Sequence, residues 1–385
     1  MLPEIYSDYI GKVKKMKFLF TCGGTAGHIN PALAVAGRLR ELMPDCGILF
    51  IGADGNMETE LVPREGYDIE TVTVTNLSRG HDMEALRHNL HTVRNAAAAI
   101  RQSKKIIKDF SPDIVVGTGG YVCFPVIEAA EELGIPSVVH ESNAVPGLTT
   151  KLLADRVQKI MVGFSDSVKH YRHTERVAVT GTPVRGQFDK YTKAQAKAEL
   201  GLDVDKPLVV SVWGSLGAGF MNKLFAEIIT GDALDGSFEL IHAVGKRYYS
   251  DFCNKIGNTD LASQCADIRE YIFDMPRVMA AADLILCRAG ASTLAELCYM
   301  GKPAIIVPSP NVTNNHQERN ARVLESAGGA KVILESELSA KLLADEIKAL
   351  AFDRERLERM SEAMRTLAVR DSADRICGVI LSTVK

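Results

Sequence analysis

Along the chain, unbroken apolar runs of four to six residues alternate with longer segments in which apolar positions recur every three or four residues. The first pattern belongs to strands buried on both faces and the second to helices that cover them, so the chain reads as α/β with parallel sheets. FLFTC at 18–22 leads into GGTAGH and a helix expected to open at Asn30 and Pro31, an N-cap type followed by the residue favoured at the first helical position. LVVSV at 208–212 repeats the plan, followed by WGSLGAG and the helical MNKLFAEII. A second unit also recurs, since DIVVGTGGYVCFPVIEAAEELGIPSVVHE at 113–141 parallels DLILCRAGASTLAELCYMGKPAIIVP at 283–308. Each runs strand, glycine loop, helix, Gly-x-Pro, strand. Two units repeated in the same order predict two Rossmann-like domains, 16–180 and 181–370, after an extension at 1–15. Residues 371–385 form a further amphipathic helix that pattern alone does not assign. The site is expected between the domains.

Length and composition agree with this division. A chain of 385 residues suits two cores, and 46% hydrophobic and 24% charged residues with a net charge of -3 describe a globular protein without a nucleic-acid bias. The eight cysteines are scattered, form no C-x-x-C pair and mostly lie in apolar runs, as reduced core thiols would, rather than a disulfide framework or a zinc site. No apolar run approaches the roughly 18 residues of a membrane span, and the first segment lacks a signal-peptide core, so the expected compartment is the cytoplasm. Met16 stands directly before the first strand, which makes 1–15 either dispensable or the product of an upstream start.

Four glycine-rich turns stand between a strand and a helix, at 23–27, 117–120, 214–219 and 289–293. Such turns present backbone N–H groups and the positive end of a helix dipole to one spot, where phosphate binds, although tight turns also need glycine for steric reasons alone. The dinucleotide fingerprint is incomplete: the first loop has Cys22 where the leading glycine belongs, and the second ends on Val122. A Gly-Lys-Ser/Thr P-loop is absent, which removes the common kinase and ATPase readings.

Taken in order from about Met16 to the end, GGTAGHINPALA, GTGGYVCFP, HESNAVPGLTTKLLA, GTPVR, WGSLGA, CRAGASTLAE and NNHQERNA resemble the MurG family. These are peripheral membrane enzymes of glycosyltransferase family 28 that add N-acetylglucosamine (GlcNAc) to lipid I, making lipid II for the bacterial cell wall. The resemblance implies a GT-B fold, two Rossmann-like domains facing across a cleft, with UDP-GlcNAc as donor and inversion at the anomeric carbon. It implies an N-terminal domain for the lipid acceptor and membrane, a C-terminal domain for the donor, and a last helix returning to the N-terminal domain. On the donor side it implies Arg185, Ser215 and Leu216 near the diphosphate, together with Asn222, and Ile272 at the uracil with Met275 nearby. It further implies Ala291, Ser292 and Thr293 facing phosphates and sugar, Glu296 on the ribose, and Gln317 and Asn320 on the GlcNAc hydroxyls beside His316. On the acceptor side it implies Thr25, His28, Tyr121, Glu141 and Asn143, with Gly24, Gly27, Gly119 and Gly120 of the first two loops around the lipid pyrophosphate. Ala26, Trp213 and His316 depart from residues common in the family; Ala26 reshapes the acceptor loop and His316 alters the sugar contacts.

Displacing UDP from C1 of the sugar requires a base at the acceptor hydroxyl and a positive field on the diphosphate. His28 is the natural base, since an unperturbed imidazole is largely neutral at cytoplasmic pH. Glu141, at the end of the strand SVVH, is the alternative, or else orients a loop or His28. No cofactor or essential metal is expected. Asp203-Val-Asp205 matches an Asp-x-Asp metal string but lies between Gly201 and Lys206-Pro207, where a solvated linker explains it better. Helix N-termini and Arg185 then supply the field, with Arg288 either assisting or structural.

Positions 79–108 hold seven Lys/Arg against Asp82 and Glu84. Arg87, Arg94, Arg101 and Lys108 repeat every seven residues beside an apolar set, Met83, Leu86, Leu90, Val93, Ala97 and Ile100, that recurs at helical spacing. With Leu77 and Arg79, this segment is either a dock for anionic lipid or a helix packed on the sheet with solvated charges. His81, His88 and His91 lack a carboxylate or cysteine at ligand spacing and read as surface residues. The expected partners are UDP-GlcNAc, lipid I, the anionic cytoplasmic face of the membrane and other cell-wall synthesis proteins, and no nucleic acid. The rivals are another GT-B enzyme acting on a UDP-sugar, including a UDP-GlcNAc epimerase, and a noncatalytic nucleotide-sugar sensor. GGTAGH and HESN speak against the first, and the polar sets of both sides against the second.

Overall fold

The computed structural model describes residues 15–74, 83–214, 217–231, 233–312 and 315–384, with backbone alone at 83–94 and at Gln187. The chain divides into two compact units, Met1–Arg185 with Val369–Lys385, and Gly186–Ala368.

The first unit is built on a parallel sheet of seven strands, β1 (Lys17–Thr21), β2 (Gly47–Ala53), β3 (Asp68–Val72), β4 (Ile114–Gly117), β5 (Ser137–Glu141), β6 (Lys159–Val162) and β7 (Val177–Val179). Their spatial order is β3-β2-β1-β4-β5-β6-β7. β1 pairs on one side with β2, Phe18 opposite Ile48, and on the other with β4, Phe18 opposite Ile114. The chain reverses its progression across the sheet between these neighbours, so the carboxyl ends of β1 and β4 form the crevice where doubly wound sheets bind ligands.

Alternation along β1 sends Phe18 and Phe20 to one face and Leu19 to the other. The phenylalanines join Phe50, Ile29 and Leu39 of the helix Ala26–Leu42, and Ile376, Ile380 and Leu381 of the closing helix Ser372–Thr383. Leu19 joins Ile51, Val115, Ile127 and residues of the long helix Met83–Phe110. The inward face of that helix is Ala99, Ser103 and Ile107; Ala97 is exposed, Ile100 is half-buried, and Arg101, Lys105 and Lys108 are exposed.

The second unit repeats the plan with six parallel strands, β8 (Leu208–Val212), β9 (Glu239–Ala243), β10 (Ala266–Arg269), β11 (Leu284–Cys287), β12 (Ala304–Ile306) and β13 (Ala330–Val332), ordered β10-β9-β8-β11-β12-β13. Its core gathers Val209, Leu284, Leu286 and Ile305 with Trp213, Phe225 and Phe252. The eight cysteines are all free thiols. Burial pushes those of Cys123, Cys287, Cys298 and Cys377 up to about 12, as inert core residues.

Two expectations shift. The first helix begins at Ala26 rather than Asn30, because Thr25 is already extended as its N-cap; Pro31 lies inside and forgoes one backbone bond. The motif Gly181-Thr-Pro-Val-Arg185 falls in the first unit, not the second. Gly181, at φ 76°, fits against Val369, its carbonyl meets His140 Nε2 at 2.9 Å, and Arg185 pairs with Glu65.

Candidate functional site

At the carboxyl ends of β1 and β4 the first two glycine loops interlock. The Gly23 N–H donates to the Gly119 carbonyl at 3.3 Å, and Gly120, at φ 90°, passes so close that a Cβ there would strike the Gly23 carbonyl. Gly119, at φ 110°, lies under the imidazole of His28, where a Cβ would overlap Nδ1. The Thr118 hydroxyl donates to the His28 carbonyl at 2.7 Å. His28 is therefore seated by the second loop while it belongs to the helix that follows the first. Tyr121 leans over Gly24 and accepts a hydrogen bond from Asn56 Nδ2 at 2.5 Å. Gly24, His28, Gly119, Gly120 and Tyr121 thus come together, with Thr25 and Gly27 exposed at the helix entrance.

Behind this cluster stands a residue that motif reading missed. Glu58 is fully buried and accepts the Gly24 N–H on Oε2 and the Ala53 N–H on Oε1, each at 3.0 Å. The Gly24 amide is therefore bonded within the protein, and the residue shapes the loop.

At the end of β5, Glu141 is buried with both oxygens occupied. Oε1 accepts from the Asn143 backbone at 3.0 Å and its Nδ2 at 2.9 Å, and Oε2 accepts from the Gly147 amide at 2.9 Å and the Thr150 hydroxyl at 2.8 Å. These bonds tie down the loop 142–147 and the start of the helix Leu148–Leu153. Glu141 and Asn143 work as a loop clamp. Next to it, burial pushes the His140 imidazole down, which suits its bond to Gly181 in the neutral form.

In the second unit, the loop after β8 leaves Trp213 buried, its indole N–H donating to Ser211 Oγ at 2.7 Å, and runs through Gly214 at φ 83°. Ser215 and Leu216 lie outside the described residues. Asn222 is buried; its Nδ2 donates to the Val244 carbonyl at 2.9 Å, and its Oδ1 has no partner among the described residues. Past β11, Ala291, Ser292 and Thr293 form the first turn of the helix Ala291–Met300, where N–H groups have no partner within the helix, and Glu296 is buried on its next turn. Gln317 Oε1 accepts from the amides of Ala289 at 3.3 Å and Ser309 at 2.9 Å, while Asn320 Nδ2 donates to the Ala289 carbonyl at 3.3 Å. The pair converges on the fourth glycine loop, and His316 opens their helix, His316–Ser326. Ile272 is buried just before the helix Met275–Ala281, which Met275 begins.

Other expected residues find different company. Arg185 is held by Glu65 at 3.0 Å, with its Nε buried and without a partner among the described residues. Arg288 donates to the carbonyls of Val307 at 3.0 Å and Pro308 at 3.2 Å and pairs with Glu335, a structural engagement. The Asp203 carboxylate accepts the Asp205 amide at 2.9 Å, closing a turn rather than facing a ligand. Among the described residues no group of three or more His, Cys, Asp or Glu could hold a metal, and no helix is long and apolar enough to cross a membrane. Leu77, Arg79 and His81 lie outside the described residues, as do the side chains of Arg87, His88, His91 and Arg94.

Residues 18–162 match the glycosyltransferase family 28 N-terminal domain and residues 208–376 the family 28 C-terminal domain. A protein of Acetivibrio thermocellus named UDP-N-acetylglucosamine--N-acetylmuramyl-(pentapeptide) pyrophosphoryl-undecaprenol N-acetylglucosamine transferase is 41% identical over 370 residues, covering 96% of this chain and 99% of that one. A Bacillus cereus protein of the same name, numbered 1, is 37% identical, covering 96% of this chain and 100% of its own. Among solved structures, Acinetobacter baumannii MurG superposes with a TM-score of 0.68 at 26% identity, over 96% of this chain and 100% of that one. The UDP-GlcNAc 2-epimerase of Neisseria meningitidis reaches 0.67 at 15% identity, over 95% and 100%, which is a likeness of fold alone.

Proposed function

This chain belongs to glycosyltransferase family 28, and we propose from that premise that it transfers GlcNAc from UDP-GlcNAc to the C4 hydroxyl of MurNAc in lipid I, undecaprenyl-pyrophosphoryl-MurNAc-pentapeptide, forming lipid II. Near-complete coverage of relatives that bear this activity in their names supports the substrates. The observation that carries the mechanism is the seating of His28 on Gly119, among interlocked glycine loops at the reversal point of the first sheet.

In that mechanism His28 takes the proton of the acceptor hydroxyl as its oxygen attacks C1, and the bond from C1 to the UDP oxygen breaks with inversion. Glu141 is the organiser of the neighbouring loop, since both of its oxygens are already engaged by four hydrogen bonds from that loop and the helix after it. The first turn of the helix Ala291–Met300 steadies the charge on the departing diphosphate. Arg185 is already paired with Glu65 in the first unit. No metal is assigned to the step.

We further assign this enzyme to the cytoplasmic membrane face, docked by Leu77, Arg79, Arg87, Arg94 and Arg101. The outward Arg101 and Lys108 on a helix that buries Ala99 and Ile107 support that placement. Charge reversal of Arg87, Arg94 and Arg101 to Glu is expected to abolish binding to anionic vesicles, and intact binding would refute the dock. The catalytic reading is tested by transfer of labelled GlcNAc to a lipid I analogue in excess EDTA. Wild type is expected to remain active while a folded His28→Ala variant slows by about a hundredfold or more. An inactive wild type with magnesium restored would refute the lipid II activity, and a fully active variant would remove His28 from the chemistry.

A further inference from the structure

Glu58 is a buried carboxylate that the mechanism above does not use. Burying an ionised carboxylate is costly unless its oxygens are hydrogen-bonded, and here both are, to two segments far apart in sequence: the Ala53 amide ending β2 and the Gly24 amide after β1. The surroundings are cut to fit it. Gly23 and Gly52 do not have a positive φ, so their backbone does not demand glycine; a Cβ on either would run into the Glu58 side chain. Gly24 does have one, at 84°, and donates to the carboxylate from that left-handed conformation. The Gly23 amide is taken by Gly119 and the Gly24 amide by Glu58, so contacts to an acceptor phosphate pass to the residues that follow, Thr25 and Ala26 at the start of the His28 helix.

We propose that Glu58 is a positioning residue for the acceptor pyrophosphate: by holding Gly24 in its left-handed conformation from below, it aims the entrance of the His28 helix at the lipid-linked substrate. This rests on the acceptor assignment above. The carboxylate does not touch substrate and acts through the loop. Both of its oxygens are spent on amides, so the fully buried side chain faces the loop and not the ligand.

In full-length protein, Glu58→Gln can satisfy one of the two amides but presents its own NH₂ group to the other. The expected result is a fall of roughly tenfold or more in kcat/KM for a lipid I analogue, mainly through acceptor KM, with calorimetric affinity for UDP-GlcNAc held within about twofold. Gly24→Ala strains the same bond from its other end, so the double variant should lose no more than about the larger single effect. Equal losses for donor and acceptor, losses that multiply in the double variant, or unchanged kinetics would each overturn the proposal. Should Glu58→Gln fail to fold, hydrogen exchange of the Gly24 amide in the wild type decides: protection supports the bond, and exchange at the rate of an open glycine overturns it. An inactive wild type would defeat the lipid II reading, whereas the Gly24 exchange would still report on Glu58.

Discussion

The first six strands of one sheet, β3-β2-β1-β4-β5-β6, and the whole of the other, β10-β9-β8-β11-β12-β13, share one order, yet the glycine loops after β1 and β8 are braced by different chemistry. After β1, a buried carboxylate from beyond β2 and a carbonyl from beyond β4 hold the loop, and the helix that follows carries His28 against Gly119. After β8, Gly217 rests against the Val244 carbonyl, which Asn222 also binds, and these supports among the described residues are neutral amides. A shared backbone plan thus sets two glycine loops at equivalent strand ends, while the side chains behind each loop differ, and in the proposed mechanism only the first carries a base.

The largest expected effect contrasts two glycines. At Gly119 a methyl group would meet both a left-handed φ of 110° and the His28 ring, whereas at Gly214 the φ is 83° but nothing among the described residues lies within 4 Å of the added Cβ. Gly119→Ala is expected to cut transfer by about a hundredfold by displacing the base. Gly214→Ala should cost only backbone strain, about 1 kcal/mol in stability. Comparable losses of activity in the two folded variants would erase the distinction between the loops.

Next in size is Glu141→Gln. One amide cannot accept on both sides, so either the Asn143 pair or the Gly147 and Thr150 pair is left facing a donor, at about 1–3 kcal/mol. Activity should fall about tenfold through disorder of the loop, with the pH dependence of kcat/KM still set by a group of histidine type. A profile that loses its acidic limb, the limb set by deprotonation of the base, would instead restore Glu141 as the base.

Much of this was legible in the chain. Unbroken apolar runs such as IVVG and LILC identify strands buried on both faces, and the repeated strand, glycine and helix units foretell two like-ordered sheets. His28, Tyr121, Gly119 and Gly120 gather because they follow the ends of adjacent strands. What stayed hidden depends on contacts distant in sequence. Glu58 looks like a surface carboxylate in a first helical turn, and only the missing Cβ atoms of Gly23 and Gly52 give it room inside. Pro31 imitates a helix start, although Thr25 had already supplied one. Gly181 to Arg185 read as the opening of the second domain, but His140, Val369 and Glu65 hold them to the first unit.

The units should also differ in acid. His242 is fully buried in the second, stacked on Phe225 with centroids 4.4 Å apart, and its Nδ1 takes a 2.9 Å bond from Ser211. Its Nε2 has no partner among the described residues, and burial pushes the imidazole down to about 3. The unfolded value is near 6.5, so between the two the unfolded chain binds the extra proton more readily. Stability is therefore lost as pH falls through that window, at up to about 1.4 kcal/mol per pH unit. His140 in the first unit is also lowered by burial, but Gly181 and Glu141 oppose the shift. Trp213, the chain's one tryptophan, bonds to the same Ser211, so its fluorescence reports unfolding beside His242. Denaturant midpoints read this way should drop between pH 6.5 and 4.5, and His242→Phe should flatten the dependence. An unchanged slope in that variant would place the acid sensitivity elsewhere.

The smallest effect concerns how the first unit keeps its last helix. Arg38 Nε meets Asp374 at 2.7 Å, but both side chains are partly exposed, at 36% and 26%, so solvent screens the pair. Asp374→Ala should therefore cost no more than about 1 kcal/mol. Ile380 on the same helix is fully buried against the Phe18 and Phe20 face, and Ile380→Ala should cost about 2–5 kcal/mol through the cavity it leaves. If the ion pair proved the costlier loss in urea unfolding, the helix would be held by charge. The expected order instead makes its apolar stripe the reason that residues beyond Val369 belong with a sheet that begins at Lys17.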